Sequence, residues 1–263
     1  MTDTPTGNAM PARLLIGLIL GLGWALFWYW DSYTGIVSLW NNSDTYAHGF
    51  VVLPMVAWLI WQDRAKLSGT TVKPTLAVIL PAIVLTFGWL LGQITTVNAL
   101  AQFSAIGMAI LLIISLLGIE ISRRLAFPLA FIYFALPIGE FLMPTLMDWT
   151  ADFTVLALRL TGIPVYREGL QFVIPSGNWS VVEACSGIRY MIASLMVGTL
   201  FAYLNYRSLK RRIIFVVVSL IVPIIANWLR AYFIVLLGHL SSNKLATGAD
   251  HLIYGWLFFG IIM

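Results

Sequence analysis

Apolar segments of about twenty residues recur along the whole chain, and this feature limits its fold more than any other. The first runs from Leu14 to Trp30, and comparable segments follow it to the end of the sequence. An α-helix needs about 20 apolar residues to cross the hydrocarbon core of a bilayer. The chain is 60% hydrophobic and 10% charged, whereas soluble domains carry about 25% charged residues. The sequence therefore predicts an all-α polytopic integral membrane protein.

We predict about eight transmembrane helices in a single domain covering residues 1–263. The spans lie near residues 13–30, 47–62, 74–92, 98–118, 125–142, 186–205, 213–230 and 250–263. The first is too long for a signal-peptide core and lacks a small-x-small cleavage site after it. The last, Asp250 to Met263, has fourteen residues, or about 21 Å of helix. Because a bilayer core is about 30 Å thick, we expect this last helix to be truncated.

The charges between the predicted spans indicate the orientation of the chain. Ten of the fifteen basic residues fall at short connections on one side, which the positive-inside rule assigns to the cytoplasm. These ten are Arg13, Arg64, Lys66, Lys73, Arg123, Arg124, Arg207, Lys210, Arg211 and Arg212. The acidic residues gather at the opposite ends, so both termini are predicted to be cytoplasmic. The net charge of +4 then reflects topology, and no nucleic-acid partner is expected.

The longest connection between predicted spans, residues 140–184, lies on the outer face. Its residues 152–160 form an amphipathic stretch suited to the membrane interface. Two β-rich runs, starting at Val165 and Trp179, flank a cluster of Pro, Ser, Gly and Asn. This pattern predicts a small extracytoplasmic β-hairpin cap immediately before the sixth helix. A loop of this length is usually functional.

The chain has one cysteine, Cys185, at the predicted junction of the cap and the sixth helix. A lone cysteine is more often a small buried apolar residue than a reactive one. At a helix N-terminus, however, the helix dipole and free N–H groups favour the thiolate, which is the nucleophilic form. The N–H groups of Ser186 and Gly187 are candidates to bind an oxyanion, and Gly187 leaves that approach open. This setting favours nucleophilic catalysis.

Asn227 and Arg230 are predicted near the outer end of the seventh span, three residues apart and on one helix face. An ionisable residue at membrane depth is costly and is a functional candidate. The alternative is that Arg230 only extends its guanidinium to the headgroups. An Asn and an Arg on one apolar face favour the functional interpretation.

Three histidines are available, and none is predicted at a cytoplasmic end. His251 starts the last span, His48 starts the second, and His239 follows an apolar run. Spacing alone does not choose among them, and His48 is a candidate for a supporting role. Cys185, Arg230 and His251 converge on the outer face, and a cysteine with a base and a charge stabiliser is the general arrangement for acyl transfer. One cysteine and three scattered histidines lack metal-ligand spacing, so no metal or other cofactor is expected.

Two further residues are candidates for a supporting role. Glu183 lies two residues before Cys185 and is placed to pair with Arg230 or Arg189, or to be an exposed loop carboxylate. Arg189 lies one helical turn after Cys185. It either binds a substrate carboxylate or extends to the interface.

At these residues the sequence resembles the exosortase/archaeosortase family of membrane cysteine transpeptidases. The matching segments are Ser43-Asp-Thr-Tyr-Ala-His-Gly, Glu183-Ala-Cys-Ser-Gly-Ile-Arg, Ala226-Asn-Trp-Leu-Arg and His251-Leu-Ile-Tyr-Gly-Trp. The resemblance implies that Cys185, Arg230 and His251 are the catalytic residues. The histidine, where archaeal relatives carry arginine, indicates the bacterial exosortase branch, which is associated with exopolysaccharide and biofilm loci.

The resemblance also implies a substrate class and a location. Family members act on secreted, membrane-anchored proteins with a C-terminal sorting tail: a Pro-Glu-Pro motif, a transmembrane helix and a basic end (the PEP-CTERM type). Cleavage through a thioester is then expected at the periplasmic face of the bacterial inner membrane, followed by transfer to an acceptor. The expected partners are these substrates and membrane lipids; the oligomeric state is left open.

Three other functions remain open. A transporter predicts polar residues and broken helices near the bilayer midplane, where this chain is apolar. A lipid-modifying enzyme predicts that Cys185 carries an acyl group without a protein substrate. A scaffold for polysaccharide export predicts that Cys185 can be replaced by alanine.

Overall fold

The computed structural model of the protein describes residues 12–67 and 70–241. They form ten α-helices, three short 3₁₀ turns and one three-stranded sheet. The chain divides into two compact units between Ile138 and Gly139; the single domain expected from the sequence stays a prediction. The predicted span at 250–263 lies outside the described residues.

The described part of the first unit is entirely helical apart from its connections. Its elements are α1 (Ala12–Trp28), α2 (Trp30–Asn42), α3 (Gly49–Leu67), α4 (Ile79–Ile94), α5 (Asn98–Leu117), α6 (Ile119–Arg124), α7 (Ala126–Phe131) and a 3₁₀ turn (Ile132–Ala135). The first predicted span thus continues as a second helix, and α1 and α2 meet at an angle of 79°.

Helix α5 is the centre of the first unit, because α1, α2 and α4 all pack on it. Helix α4 approaches it most closely at Gly92, where a Cβ atom would lie 2.6 Å from the backbone nitrogen of Ala101. A residue without a side chain is therefore required at this crossing.

The described part of the second unit combines three α-helices with the sheet. Its elements are a 3₁₀ turn (Glu140–Leu142), α8 (Met143–Leu160), β1 (Tyr166–Glu168), β2 (Gln171–Ile174), β3 (Gly177–Ser180), a 3₁₀ turn (Glu183–Cys185), α9 (Ile188–Asn205) and α10 (Leu209–Leu240). The predicted amphipathic stretch at 152–160 is the second half of α8.

The sheet is antiparallel with the order β1-β2-β3. The sequence predicted one hairpin around the Pro/Gly/Asn cluster, and β2 and β3 form it. The first β-rich run also folds back on itself at Gly169, whose φ of +59° glycine adopts readily. The core below the sheet joins Phe172 of β2 to Val155 of α8 and Val235 of α10.

Among the described residues, three helices are long and apolar enough to cross a membrane: α5, α9 and α10. The count rises to five if two interrupted helix pairs each act as one span. Helix α10 has 32 residues, about 48 Å of helix, and runs ten residues past the predicted end of the seventh span. Arg230 therefore lies inside this helix and not at its end.

Many large apolar side chains are exposed along the helices. Leu20 and Phe27 of α1 are 68% and 71% exposed, and Leu80 of α4 is 71% exposed. Apolar surface on this scale requires a covering environment. Together with the mostly helical fold, this exposed apolar surface identifies the chain as a membrane protein.

Candidate active site

Cys185 lies in a tight turn that precedes α9. Its N–H donates to the carbonyl oxygen of Val182 at 2.8 Å, and the N–H of Ser186 donates to that of Glu183 at 3.0 Å. The helix begins only at Ile188, after Gly187 in the left-handed conformation with φ +78°. The sequence placed Cys185 and Ser186 at the helix start, but the reversal at Gly187 separates them from the first turn.

This turn changes which backbone groups are available to a reacting carbonyl. The Ser186 N–H, a predicted oxyanion donor, is engaged by the Glu183 carbonyl. The Ser186 side chain is 3% exposed, and its hydroxyl accepts a long hydrogen bond of 3.4 Å from the Ile188 N–H. The N–H of Gly187 donates to no described residue. Of the two predicted donors, Gly187 is thus the one whose N–H is unpaired among the described residues, although the residue itself is buried.

Asn227 of α10 fixes the position of the turn. Its side-chain amide donates to the carbonyl oxygen of Cys185 at 2.8 Å and to the hydroxyl oxygen of Thr150 at 3.3 Å. Thr150 in turn donates to the carbonyl of Leu146 at 2.7 Å. Asn227 is 4% exposed and Thr150 is fully buried. The cysteine turn is therefore held to α8 and α10 by a buried chain of hydrogen bonds.

Gly187 permits this arrangement by its lack of a side chain. A Cβ atom at Gly187 would lie 2.7 Å from Cγ and 2.9 Å from Nδ2 of Asn227. Contacts under 3.0 Å cannot be accommodated without displacing one of the two groups. The sequence assigned Gly187 to substrate approach; the structure adds a packing reason.

Arg230 follows Asn227 by three residues on α10, which places the two side chains on neighbouring positions of one face. Its guanidinium carbon lies 5.6 Å from the ring centre of Tyr190, in the first turn of α9. That distance suits a cation–π contact. The Nε atom is buried and has no hydrogen-bond partner among the described residues. The guanidinium is thus positioned at the start of α9, and its buried Nε–H is unpaired within the described part of the chain.

The sheet packs against the cysteine. Cys185 is half-buried and contacts the core formed by α8, β2 and α10, with Trp179 of β3 beside that core. Arg167 of β1 pairs with Asp152 and lies 3.9 Å from Asp148, both on α8. Strands and helices thus build one wall around the thiol.

The remaining predicted residues occupy separate positions. The Glu183 side chain is exposed and forms no ion pair with a described residue. Arg189 is half-buried in the first turn of α9. His251 lies outside the described residues, so its predicted catalytic role stays a prediction.

The two described histidines both bind backbone or hydroxyl groups. In the first unit, the ring nitrogens of His48 lie 3.0 Å from the carbonyl oxygens of Thr45 and Phe134. In the second, Nδ1 of His239 lies 2.9 Å from the hydroxyl of Ser176, in the β2–β3 turn. His48 thus joins the start of α3 to the 3₁₀ turn after α7, and His239 joins the end of α10 to the β2–β3 turn. No group of three or more His, Cys, Asp or Glu suited to a metal occurs within 12–67 and 70–241.

The second unit therefore places a thiol and a backbone N–H that is unpaired among the described residues in one short turn, and an arginine beside the first turn of the following helix. These are the groups that nucleophilic attack on a carbonyl requires, apart from a proton carrier. Sequence reasoning missed Thr150 and Tyr190, since a threonine or tyrosine in an apolar helix carries no motif of its own.

A comparison with protein-family models matches residues 40–263 to the family described as transmembrane exosortase (Exosortase_EpsH). No curated protein and no solved structure showed a significant match. The match covers Cys185, Asn227, Arg230 and His251 and most of the chain, so the protein belongs to the transmembrane exosortase family.

Proposed function

We propose that the protein is a cysteine transpeptidase or protease of the outer face of the bacterial inner membrane. Its substrates are secreted proteins that end in a Pro-Glu-Pro motif, a transmembrane helix and a basic tail. The observation that carries this proposal is the hydrogen bond from Asn227 to the Cys185 carbonyl. It holds the only cysteine of the chain at the helix that carries Arg230.

In the first step, the Cys185 thiolate attacks the scissile carbonyl carbon. The new S–C bond forms a tetrahedral intermediate whose oxyanion is bound by the Gly187 N–H and the Arg230 guanidinium. His251 donates a proton to the leaving nitrogen as the C–N bond breaks. The products are a thioester on Cys185 and the released sorting tail.

In the second step, an acceptor removes the substrate from the enzyme. His251 takes a proton from an incoming amine or water, which attacks the thioester carbonyl. The C–S bond breaks and the Cys185 thiolate is restored. An amine acceptor gives transpeptidation, and water gives proteolysis. Arginine suits the oxyanion role because it stays charged and offers several donors in a fixed plane.

The test is co-expression with a secreted reporter that carries such a tail, whose size is followed by immunoblot. Wild type should shorten the reporter, and Cys185→Ala, Arg230→Ala and His251→Ala should leave it uncut while still inserting in the membrane. If Cys185→Ala shortens the reporter as well as wild type does, the thiol is not the nucleophile. The scaffold and transporter functions would then take precedence.

A further inference from the structure

The outer edge of β3 is unpaired within the described part of the chain. The sheet order is β1-β2-β3, so among the described strands β3 has a neighbour on one side only. Its register with β2 pairs Gly177 with Ile174, Trp179 with Phe172 and Ser180 with Gln171. One edge of this strand is therefore open to another extended chain.

The direction of the backbone groups on this edge follows from one hydrogen bond. The N–H of Val181 donates to the carbonyl of Leu170 at 3.0 Å, so Val181 faces β2. In an antiparallel ladder, residues facing the partner strand alternate with residues facing away. Asn178 and Ser180 therefore direct their N–H and C=O groups outward.

Within residues 12–67 and 70–241, these outward groups have no partner, and the residues that carry them are exposed. The backbone groups of Asn178 and Ser180 form no hydrogen bond with another described residue, and both residues are exposed. Val182, next in the alternation, is 51% exposed and contributes only its N–H to this edge, because its carbonyl accepts the N–H of Cys185. A row of free donors and acceptors of this kind is the usual template for strand addition.

The edge leads directly to the thiol. The Val182 carbonyl accepts the N–H of Cys185, which closes the 3₁₀ turn. Three residues of such a turn advance by about 6 Å. A peptide paired with Ser180 and Val182 would thus bring its next backbone carbonyl to the neighbourhood of Cys185.

We propose that the outer edge of β3 is the substrate-binding strand, which pairs with the extended segment of the substrate that contains the scissile bond. This inference rests on the proposed function, since it names the binding mode of the same site. The occupant is an extended polypeptide, because the edge offers backbone donors and acceptors at every second residue. The inner side chain of Trp179 meanwhile packs toward the core.

A Pro-Glu-Pro motif is chemically suited to this edge. Proline has no N–H and is tolerated in a strand only where that group is not needed. In an added strand, the glutamate would direct its N–H and C=O to β3, and both prolines would face away. The two prolines are two positions apart in the sequence, which matches the two-residue period of a strand.

One substitution removes an outward donor and leaves the ladder intact. Ser180→Pro deletes the N–H that faces away from β2, and Ser180→Ala is the matched control that retains it. Ser180→Pro should lower the rate of reporter cleavage about tenfold or more, because it loses a hydrogen bond and its ring obstructs the incoming strand. Ser180→Ala should cleave at least about tenfold faster than Ser180→Pro, because it retains the backbone N–H. Equal rates for both variants would overturn the proposal.

Crosslinking tests the same edge without catalysis. In a Cys185→Ala background, Ser180→Cys provides a single thiol, and cysteines are placed one by one along the extended part of the reporter. Disulfides should form at alternate reporter positions, because cross-strand neighbours on one face are two residues apart. No crosslink, or equal crosslinking at consecutive positions, would contradict strand pairing.

The two readouts separate this inference from the proposed function. Cleavage by wild type but not by Cys185→Ala, without alternating crosslinks, retains the enzyme and rejects the strand edge. Alternating crosslinks to a reporter that wild type leaves uncut retain the binding edge and reject the peptidase.

Discussion

Gly187 and Asn227 are packed so closely that a Cβ atom on the glycine would lie 2.7 Å from Cγ of the asparagine. Gly187 also has a φ of +78°, in the region that favours glycine. Glycine is therefore required at position 187 for two independent reasons, the left-handed turn and the close contact with α10.

Gly187→Ala should consequently destabilise the protein and abolish reporter cleavage. The left-handed conformation costs about 1–2 kcal/mol for a residue with a side chain, and overpacking against Asn227 adds about 1–3 kcal/mol. The measurement is thermal unfolding of the purified protein in detergent, with cleavage in parallel. Gly162→Ala is the matched control, because Gly162 has a φ of +83° with no atom within 4 Å of the added Cβ. Equal losses in both variants would show that the contact with Asn227 is unimportant.

Asn227→Asp should lower reporter cleavage about 10- to 100-fold. The carboxylate replaces the amide that donates to Cys185 and Thr150, so two buried acceptors lose their donor. Thr150→Val should have a smaller effect, and Thr150→Ser, which retains the hydroxyl, should restore cleavage. The rate of Cys185 alkylation by a maleimide reports the position of the turn and should change in Asn227→Asp. Wild-type cleavage and alkylation in Asn227→Asp would be inconsistent with the anchoring role.

Arg230→Lys should retain membrane insertion but lose most of the cleavage activity. Lysine keeps the charge, but its compact ammonium lacks the planar donors and stacks less well on an aromatic ring. Tyr190→Leu removes the ring that lies under the guanidinium and should lower cleavage, whereas Tyr190→Phe retains the ring face. Cleavage rates at saturating reporter distinguish a catalytic loss from weaker binding. Full activity in Arg230→Lys would mean that only positive charge is needed.

Alanine substitutions of the three histidines should have different effects on cleavage and on stability. His251→Ala should abolish cleavage with little loss of stability, because the proposed mechanism needs its proton transfer. His48→Ala and His239→Ala should lower the unfolding temperature and leave substantial cleavage, since their rings join segments that are distant in the sequence. If His48→Ala or His239→Ala is inactive but stable and His251→Ala is active, the assignment of the general acid and base is wrong.

The sequence allowed prediction of the helical membrane class, the exosortase family and the hairpin beside Cys185. It also placed Asn227 and Arg230 on one helix face, since that depends only on helix periodicity. The bond from Asn227 to the Cys185 carbonyl was out of reach, because it joins residues 42 positions apart through tertiary packing.

Two local predictions also differed from the structure for physical reasons. The helix after Cys185 begins at Ile188, later than expected, because Gly187 adopts a left-handed conformation that ends the preceding turn. Helix α10 runs to Leu240 beyond the predicted span. Its last turns pack Val235 beneath the sheet. A hydropathy pattern interpreted as one bilayer crossing could therefore not predict where this helix ends.

The most direct test of the account is detection of the thioester on Cys185. Wild type and Cys185→Ala are incubated with the sorting-tail reporter, quenched in acid and digested for mass spectrometry, with and without hydroxylamine. A thioester mechanism predicts a peptide containing Cys185 that carries the C-terminal peptide of the cleaved reporter, and hydroxylamine should remove it. Reporter cleavage with no adduct on Cys185, or with an undiminished rate in Cys185→Ala, would contradict the central claim.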